Sequence, residues 1–175
     1  MSTTAQLPLA GLRVIEMGSL IAGPFAAKTL GDFGAEVIKI EPPGSGDPLR
    51  SWRTEEGVTS VWWHVQARNK KSVAIDLRQP EGQELVRRLA DEADVVIENF
   101  RPGTLDRLGL GFAALRARNP RLVCCSAKGF LDGPYDHRTA LDEVTQMMGG
   151  LAYMTGPVGR PLRAGASVVD ITGGM

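Results

Sequence analysis

The chain has 175 residues, 20 basic and 20 acidic side chains, and 43% hydrophobic residues. That supports one domain with a real core, is too short for two ordinary domains, and excludes a disordered tail. Zero net charge argues against nucleic-acid binding through a basic face, and the longest mostly apolar stretch, Met17–Ala27, is broken by Gly18, Gly23 and Pro24 and is too short to span a membrane.

The N-terminal segment up to Met17 has no basic stretch followed by an apolar one, so no export signal is read. Leu12–Glu16 reads as a buried strand. Gly18 opens a loop, and Pro24 sits in the first turn of a helix running to about Phe33, capped by Gly34. Glu36–Ile40 is a second strand, so the unit is βαβ with a parallel pair. Pro42–Thr59 reads as a long loop, followed by an ordered stretch, Val61–Val65, with two Trp. Ser72–Leu77 is a third strand. Pro80–Asp91 is an amphipathic helix with Leu85, Val86, Leu89 and Ala90 inward. Asp94–Ile97 is a fourth strand, Pro102–Leu108 and Gly111–Arg118 are short helices, and Leu122–Ser126 is a fifth strand. Gly129–His137 is a loop, Ala140–Met148 a helix ended by Gly149 and Gly150, and Leu151–Met175 is rich in Gly and Pro. Repeated βα units predict an α/β fold: a Rossmann-like open, mostly parallel sheet with helices on both faces. The last residues, Thr172-Gly-Gly-Met175, read like the start of a further segment, so a truncated chain is expected.

Chemistry-bearing residues are sparse. Cys124 and Cys125 are strand neighbours that point to opposite faces and read as core, so neither a metal pair nor a disulfide is expected, and the setting is read as reducing and cytoplasmic. The loop from Gly18 to Pro24 lies at the carboxyl edge of the sheet, where ligands bind, but it is not a G-x-G-x-x-G. A nicotinamide dehydrogenase is therefore a poor reading. Glu41 is placed where a ribose-binding acid would stand; without the fingerprint it reads as a loop acid near Lys39 or Arg13. Arg68–Ser72 reads as a solvated turn, and His137 as a loop residue. Asn99, Phe100 and Arg101, with Arg107 beyond, either hold an adenine nucleotide or form a Pro-Gly turn with a surface Arg. Asp170, flanked by small residues, is either an acyl-group nucleophile or, taken alone, a helix N-cap before Ile171.

Read together in order, these segments resemble a known family. Gly11-Leu-Arg-Val-Ile-Glu16, Ala22-Gly-Pro24, Leu30-Gly-Asp-Phe-Gly-Ala-Glu-Val-Ile-Lys-Ile-Glu41 and Gly44-Ser-Gly-Asp47 are followed by Asn69-Lys-Lys-Ser72 and Ala93-Asp-Val-Val-Ile-Glu-Asn-Phe-Arg-Pro-Gly103. Then come Leu105-Asp-Arg-Leu-Gly109, Ser126-Ala-Lys-Gly-Phe130, Met148-Gly-Gly150 and Gly165-Ala-Ser-Val-Val-Asp170. From about residue 8 onward the chain resembles the class III CoA-transferases, the formyl-CoA transferase and carnitine CoA-transferase family.

The resemblance implies that residues 8–175 are the N-terminal part of the large domain of an intertwined homodimer. It implies an aspartyl nucleophile at Asp170 that forms a mixed anhydride with an acyl group and then an aspartyl-CoA thioester. It implies CoA contacts at Ile21 and Ala22, at Ile75, Asp76, Leu77 and Arg78, at Asn99, Phe100 and Arg101, and at Arg107. The substrates implied are an acyl-CoA and a carboxylic acid, with no permanently bound cofactor and no metal. Three positions depart from the formyl-CoA pattern: Ile21 replaces a Gln, Pro42 an Arg, and Thr139 a Lys for which Arg138 substitutes. The segment Tyr135–Asp170 looks closest to members that handle succinyl or mesaconyl groups, with Arg163 facing a distal carboxylate. The family's racemase branch uses a His where this chain has Leu141, which weakens that alternative. A third alternative is an inactive CoA-binding fragment.

Overall fold

The computed structural model describes residues 6–52 and 59–175. Residues 53–58 of the expected 42–59 loop lie outside the described residues, as do residues 1–5. Among the described residues five strands form one parallel sheet: β1 (Arg13–Glu16), β2 (Glu36–Glu41), β3 (Lys70–Ala74), β4 (Val95–Glu98) and β5 (Val123–Ser126). Their order, β3-β2-β1-β4-β5, is doubly wound and switches direction between β1 and β4. Ile15 of β1 stands level with Ile38 of β2 and Val96 of β4.

The helices are α1 (Ala22–Asp32), α2 (Val61–Gln66), α3 (Pro80–Asp91), α4 (Thr104–Arg107), α5 (Phe112–Arg118), α6 (Asp142–Met148), α7 (Leu151–Thr155) and α8 (Val168–Gly173). They cover both faces of the sheet. Ile15, Val96, Val86, Ala90 and Leu115 pack on the side of α3 and α5, while Val14, Val37, Ile97 and Ala27 pack on the side of α1. Neighbours in a strand point to opposite faces, so a sheet buried on both sides needs consecutive apolar residues. That is why the strands read as short apolar runs. α3 begins at Pro80 because proline needs no N–H in a first turn and holds Gln79 extended. No helix among the described residues is long and apolar enough to cross a membrane.

Several local expectations are corrected. β3 starts at Lys70, not Ser72, because Lys70 is drawn inside: its Nζ lies 2.6 Å from Glu16 and donates to the Pro24 carbonyl at 2.7 Å. Of the basic stretch only Lys70 leaves the solvent; Arg68 and Asn69 form an exposed turn as expected, and Lys71 is exposed on the strand. Arg68 and Asn69 bind Asp32, and Lys71 pairs with Glu36. Glu41 is no loop acid beside Lys39 or Arg13. It is buried at the end of β2, where the Arg50 fork donates to it twice at 2.8 Å, Ser72 Oγ at 2.6 Å and the Asp47 N–H at 2.8 Å. Burial opposes ionisation, but these donors win and hold its carboxyl down to about 2. Leu85 is 47% exposed, so Val86 and Ala90 carry the inner face of α3. Cys124 is only half-buried and Cys125 is exposed, because β5 is the edge strand here. A 3-10 turn at Pro48–Ser51 and helix α7 form in segments expected to be irregular.

A charged pair, Lys39 and Glu16, is buried almost completely. Lys39 of β2 is 1% exposed, and its Nζ lies 2.6 Å from Glu16, 2.8 Å from Asp47 and 2.9 Å from the Gly18 carbonyl. Burial alone would lower its pKa; the two carboxylates overcome that and raise it. Replacing Lys39 with Met would leave Glu16 and Asp47 buried without their shared cation. We expect a loss of about 3–5 kcal/mol in urea unfolding at neutral pH. A midpoint within error of the parent would show that the cluster is not needed for the fold.

Candidate active site

The carboxyl ends of the strands enclose a cavity of about 520 Å³. Met17, Gly18 and Ser19 after β1, Glu41 at the end of β2 and Pro42 after it, Ile75–Arg78 after β3 and Phe100 after β4 line it. The cavity lies at the point where strand order reverses, the usual ligand crevice of such sheets. Its size suits a small-molecule cofactor or part of one. Arg78 turns back on Asp76, donating from Nε to Oδ1 and from Nη2 to Oδ2, both at 2.9 Å.

The loop after β1 is built for this position. Leu20 adopts a left-handed conformation, φ 62°, which is costly for a branched residue. It is held there by Asp47, whose Oδ1 accepts from the Leu20 N–H at 3.1 Å and the Leu49 N–H at 2.9 Å. From the other side of the switch point, Asn99 clasps Ser19 twice. Its Oδ1 accepts from the Ser19 N–H at 2.8 Å, and its Nδ2 donates to the Ser19 carbonyl at 2.8 Å. A Cβ at position 18 would stand 2.9 Å from that same Oδ1, so only glycine lets Asn99 close.

Asn99 also lines a second, smaller pocket of about 150 Å³, with Ala22, Lys128, Gly129, Ala140, Leu141, Thr145, Val169 and Asp170 around it. The two cavities therefore meet at the Ser19–Asn99 clasp: Ser19 lines the first and Asn99 the second. Asp170 is the third residue of α8, not an N-cap before Ile171; the cap position belongs to Ser167. α8 packs on the start of α1, where a Cβ on Gly174 would stand 2.7 Å from the Ala22 carbonyl oxygen. Burial, with the Asp142 and Glu143 carboxylates nearby, pushes the Asp170 carboxyl up to about 6. At neutral pH it is mostly ionised and poorly solvated. Such a carboxylate is a better nucleophile than one in water.

The remaining sequence-derived positions are dispersed. Ile75, Asp76, Leu77, Arg78 and Phe100 share the large cavity, whereas Ala22, Asn99 and Asp170 share the small one. Ile21 is 2% exposed and serves as the N-terminal boundary of α1. Arg101 lines a separate polar depression with Glu98 and Lys128. Arg107 is exposed on α4 and donates to Thr104 at 3.1 Å. Arg138 lies outside all of these, exposed and stacked 4.5 Å over the Tyr135 ring. Arg163 pairs with Glu143 at 3.2 Å. The sequence reading missed Lys39, Asp47 and Lys128, and it gave Asp142 and Gln146 no role. Asp142 and Gln146 carried one faint signal, two polar residues at i and i+4 on a helix that is otherwise partly apolar.

The sign of the Asp170 shift fixes a stability prediction. The folded carboxyl titrates at about 6 and the unfolded one at about 4, so between these values the folded state binds more protons. Stability therefore falls as pH rises through this window, and the ionised group strains the fold at neutral pH. Asp170→Asn should be more stable than the parent at pH 7.5, by about 1 kcal/mol once solvent screening is discounted. The gain should disappear near pH 4, as read from urea midpoints at both pH values. A gain that grows toward acid would contradict the assignment.

Comparison with known proteins bears on the family and the fold. The model of CoA-transferase family III matches residues 9–175. The chain is 51% identical over 166 residues to a succinyl-CoA–D-citramalate CoA-transferase of Chloroflexus aurantiacus, with 93% of this chain and 41% of that one aligned. It is 44% identical over 177 residues to a succinate–glutarate CoA-transferase of Agrobacterium fabrum, covering 96% of this chain and 44% of that one. A crystal structure of a CAIB/BAIF family protein from Brucella suis superposes with a TM-score of 0.88 at 45% identity, covering 95% of this chain and 46% of that one. The chain thus spans less than half the length of these relatives. From its sequence, its doubly wound sheet and these matches, the chain belongs to CoA-transferase family III.

Proposed function

We propose that residues 8–175 form the CoA-binding, nucleophile-bearing first part of the large domain of an enzyme that moves CoA from an acyl-CoA to a carboxylic acid. The observation that carries this reading is Asp170: a half-buried carboxylate raised to about 6, opening on a small pocket next to a nucleotide-sized cavity. Names borne by the relatives, succinyl-CoA–D-citramalate and succinate–glutarate CoA-transferase, support succinyl-CoA or another dicarboxylyl-CoA as donor.

On this reading the CoA nucleotide occupies the strand-edge cavity, with Phe100 offering a ring to the base and Ile75–Arg78 forming one wall. Ile21 and Ala22 border the path to Asp170, with any contact at Ile21 through its backbone. Arg101, Arg107 and Arg138 are the remaining cations proposed for the CoA phosphates. Asp170 Oδ attacks the thioester carbonyl, the C–S bond breaks, and CoA leaves as thiolate while a mixed anhydride forms. The thiolate then attacks the Asp170 acyl carbon, releasing the donor carboxylate and leaving an aspartyl-CoA thioester. The acceptor carboxylate attacks that thioester, and the freed thiolate takes the acceptor acyl group from the second anhydride. Asp170 is regenerated and no proton is consumed. An acid–base isomerase needs a proton-transfer pair at the α-carbon instead. Among the described residues that line the small pocket, only Asp170 and Lys128 carry ionisable side chains, and exposed Leu141 stands where the racemase branch has its base.

We read the enzyme as cytoplasmic, since Cys124 and Cys125 are free thiols, and as a homodimer. Exposed Met147, Met148, Tyr153 and Met154 on α6 and α7 supply an apolar face that supports association with a second copy. No permanently bound group is invoked.

The test is intact-protein mass spectrometry of the native gene product incubated with succinyl-CoA, with and without hydroxylamine. An adduct on the peptide carrying Asp170 is expected. Asp170→Ala should lose at least about 1,000-fold in turnover while CoA affinity stays within about threefold. The kcat/KM profile of the parent should fall off below about pH 6, as Asp170 takes up a proton. An unmodified Asp170 peptide in an enzyme that turns over would remove the covalent reading.

A further inference from the structure

An aspartate at the third position of a helix normally enjoys the free N–H groups of the first turn, which lower its pKa. In α8 the opposite holds, and the reason is visible one layer away. The N–H groups of Val169 and Asp170 donate to Asp142 Oδ2, at 2.8 and 3.0 Å. Asp142 is 6% exposed, and its Oδ1 accepts from Gln146 Nε2. Gln146 has no exposed surface; its Nε2 also donates to the Ala166 carbonyl at 3.1 Å, and its Oε1 accepts from the Ala164 N–H at 2.7 Å. Two side chains one turn apart on α6 thus satisfy four backbone groups between Ala164 and Asp170.

We propose that Asp142 and Gln146 are positioning residues for Asp170: together they clasp the 164–170 backbone and aim the Asp170 carboxylate into the small pocket. The proposal rests on the reading of Asp170 as nucleophile. α8 has six residues and follows a segment without regular structure, so it cannot hold its own geometry. The clasp supplies that rigidity from a neighbouring helix. It also takes the two donors that would otherwise solvate Asp170 and puts a negative charge in their place. The groups that face Asp170 are few. α6 brings Asp142 and Glu143, the latter shared with Arg163; the loop after β5 brings Lys128; α1 brings Ala22 and no titratable side chain to this pocket.

Three variants of the native gene product separate the roles, each read by the pH profile of kcat and by carboxyl-carbon NMR titration of Asp170, assigned with Asp170→Asn. Asp142→Asn keeps an acceptor but removes the charge. Its Asp170 midpoint and the acid limb of kcat should both fall by about one pH unit, and kcat at neutral pH by about tenfold or more. Gln146→Leu keeps the charge but breaks the clasp, so kcat should fall by up to about 100-fold with the titration midpoint unmoved. Asp142→Glu should recover the midpoint and part of kcat. If Asp142→Asn leaves the midpoint where it was, or behaves like Gln146→Leu in every readout, the residue is merely structural and the proposal is overturned. An adduct on Asp170 in the parent together with an unmoved midpoint in Asp142→Asn sinks the clasp alone. No adduct in an active parent sinks the nucleophile reading and, with it, the proposal.

Discussion

The Lys39 ammonium is the constraint from which the site's geometry follows. It sits inside the sheet with Glu16, Asp47 and the Gly18 carbonyl around it, and Lys70 completes the cluster from β3. Such a cluster gains little net stability over an apolar core, because every charge has lost its water. What it gives is register. Its members come from β1, β2, β3 and the loop after β2, and each must be in place for the others to be paired. Asp47 then extends the order outward, holding Leu20 in a conformation that a leucine would not choose. With Asn99 gripping Ser19 from the far side of the switch point, the first loop has no freedom left. α1 starts from that loop, α8 rests on α1, and Asp170 stands on α8. A charge buried under the sheet thereby locates a carboxylate above its edge.

Much of this scaffold was legible in the sequence, and the failures share one cause. The bounds of α3 match the sequence reading, since Pro80 marks its start and its periodicity is local, although Leu85 turns outward. The five strands were found, because two-sided burial writes itself as apolar runs. β3 was displaced because Lys70 and Lys71 look like surface residues; only their partners, Glu16 and Glu36, distant in sequence, make them strand residues. Glu41 was misjudged for the same reason, its three donors coming from Arg50, Ser72 and the Asp47 backbone. Cys125 was assigned to the core because an apolar run does not say whether its strand is central or at an edge. Asp170 drew attention through the small residues around it, but its local pattern also fitted an N-cap. The helix starts three residues earlier than an N-cap at Asp170 would require, at Val168, and the pair that holds its backbone, Asp142 and Gln146, lies a full helix away.

The same pair explains how a carboxylate can be strained in a fold that is otherwise well paired. Elsewhere in the chain, carboxylates gain donors and their pKa values go down: Asp32 with Arg68, Glu36 with Lys71, Glu41 with Arg50. Asp170 has lost its natural donors to Asp142 and sits among acidic neighbours. A site of this sort costs stability, and natural proteins tolerate that cost where chemistry needs a reactive group. Here the cost is confined to one short helix whose backbone is tied down from α6.

A reactive anhydride imposes one more condition. It must be kept from water for as long as it lives. Thr145 of α6 lines the small pocket, and further along α6 and on α7 apolar side chains are exposed, with Met147 at 49%, Tyr153 at 77% and Met154 at 82%. Exposed apolar patches commonly mark surfaces that meet another protein surface. The pocket that must exclude water for the proposed chemistry thus borders a helix, α6, whose own apolar residues call for covering. One surface laid over α6 and α7 meets both needs. Coverage by a second protein surface and protection of the intermediate are, on this reading, a single event.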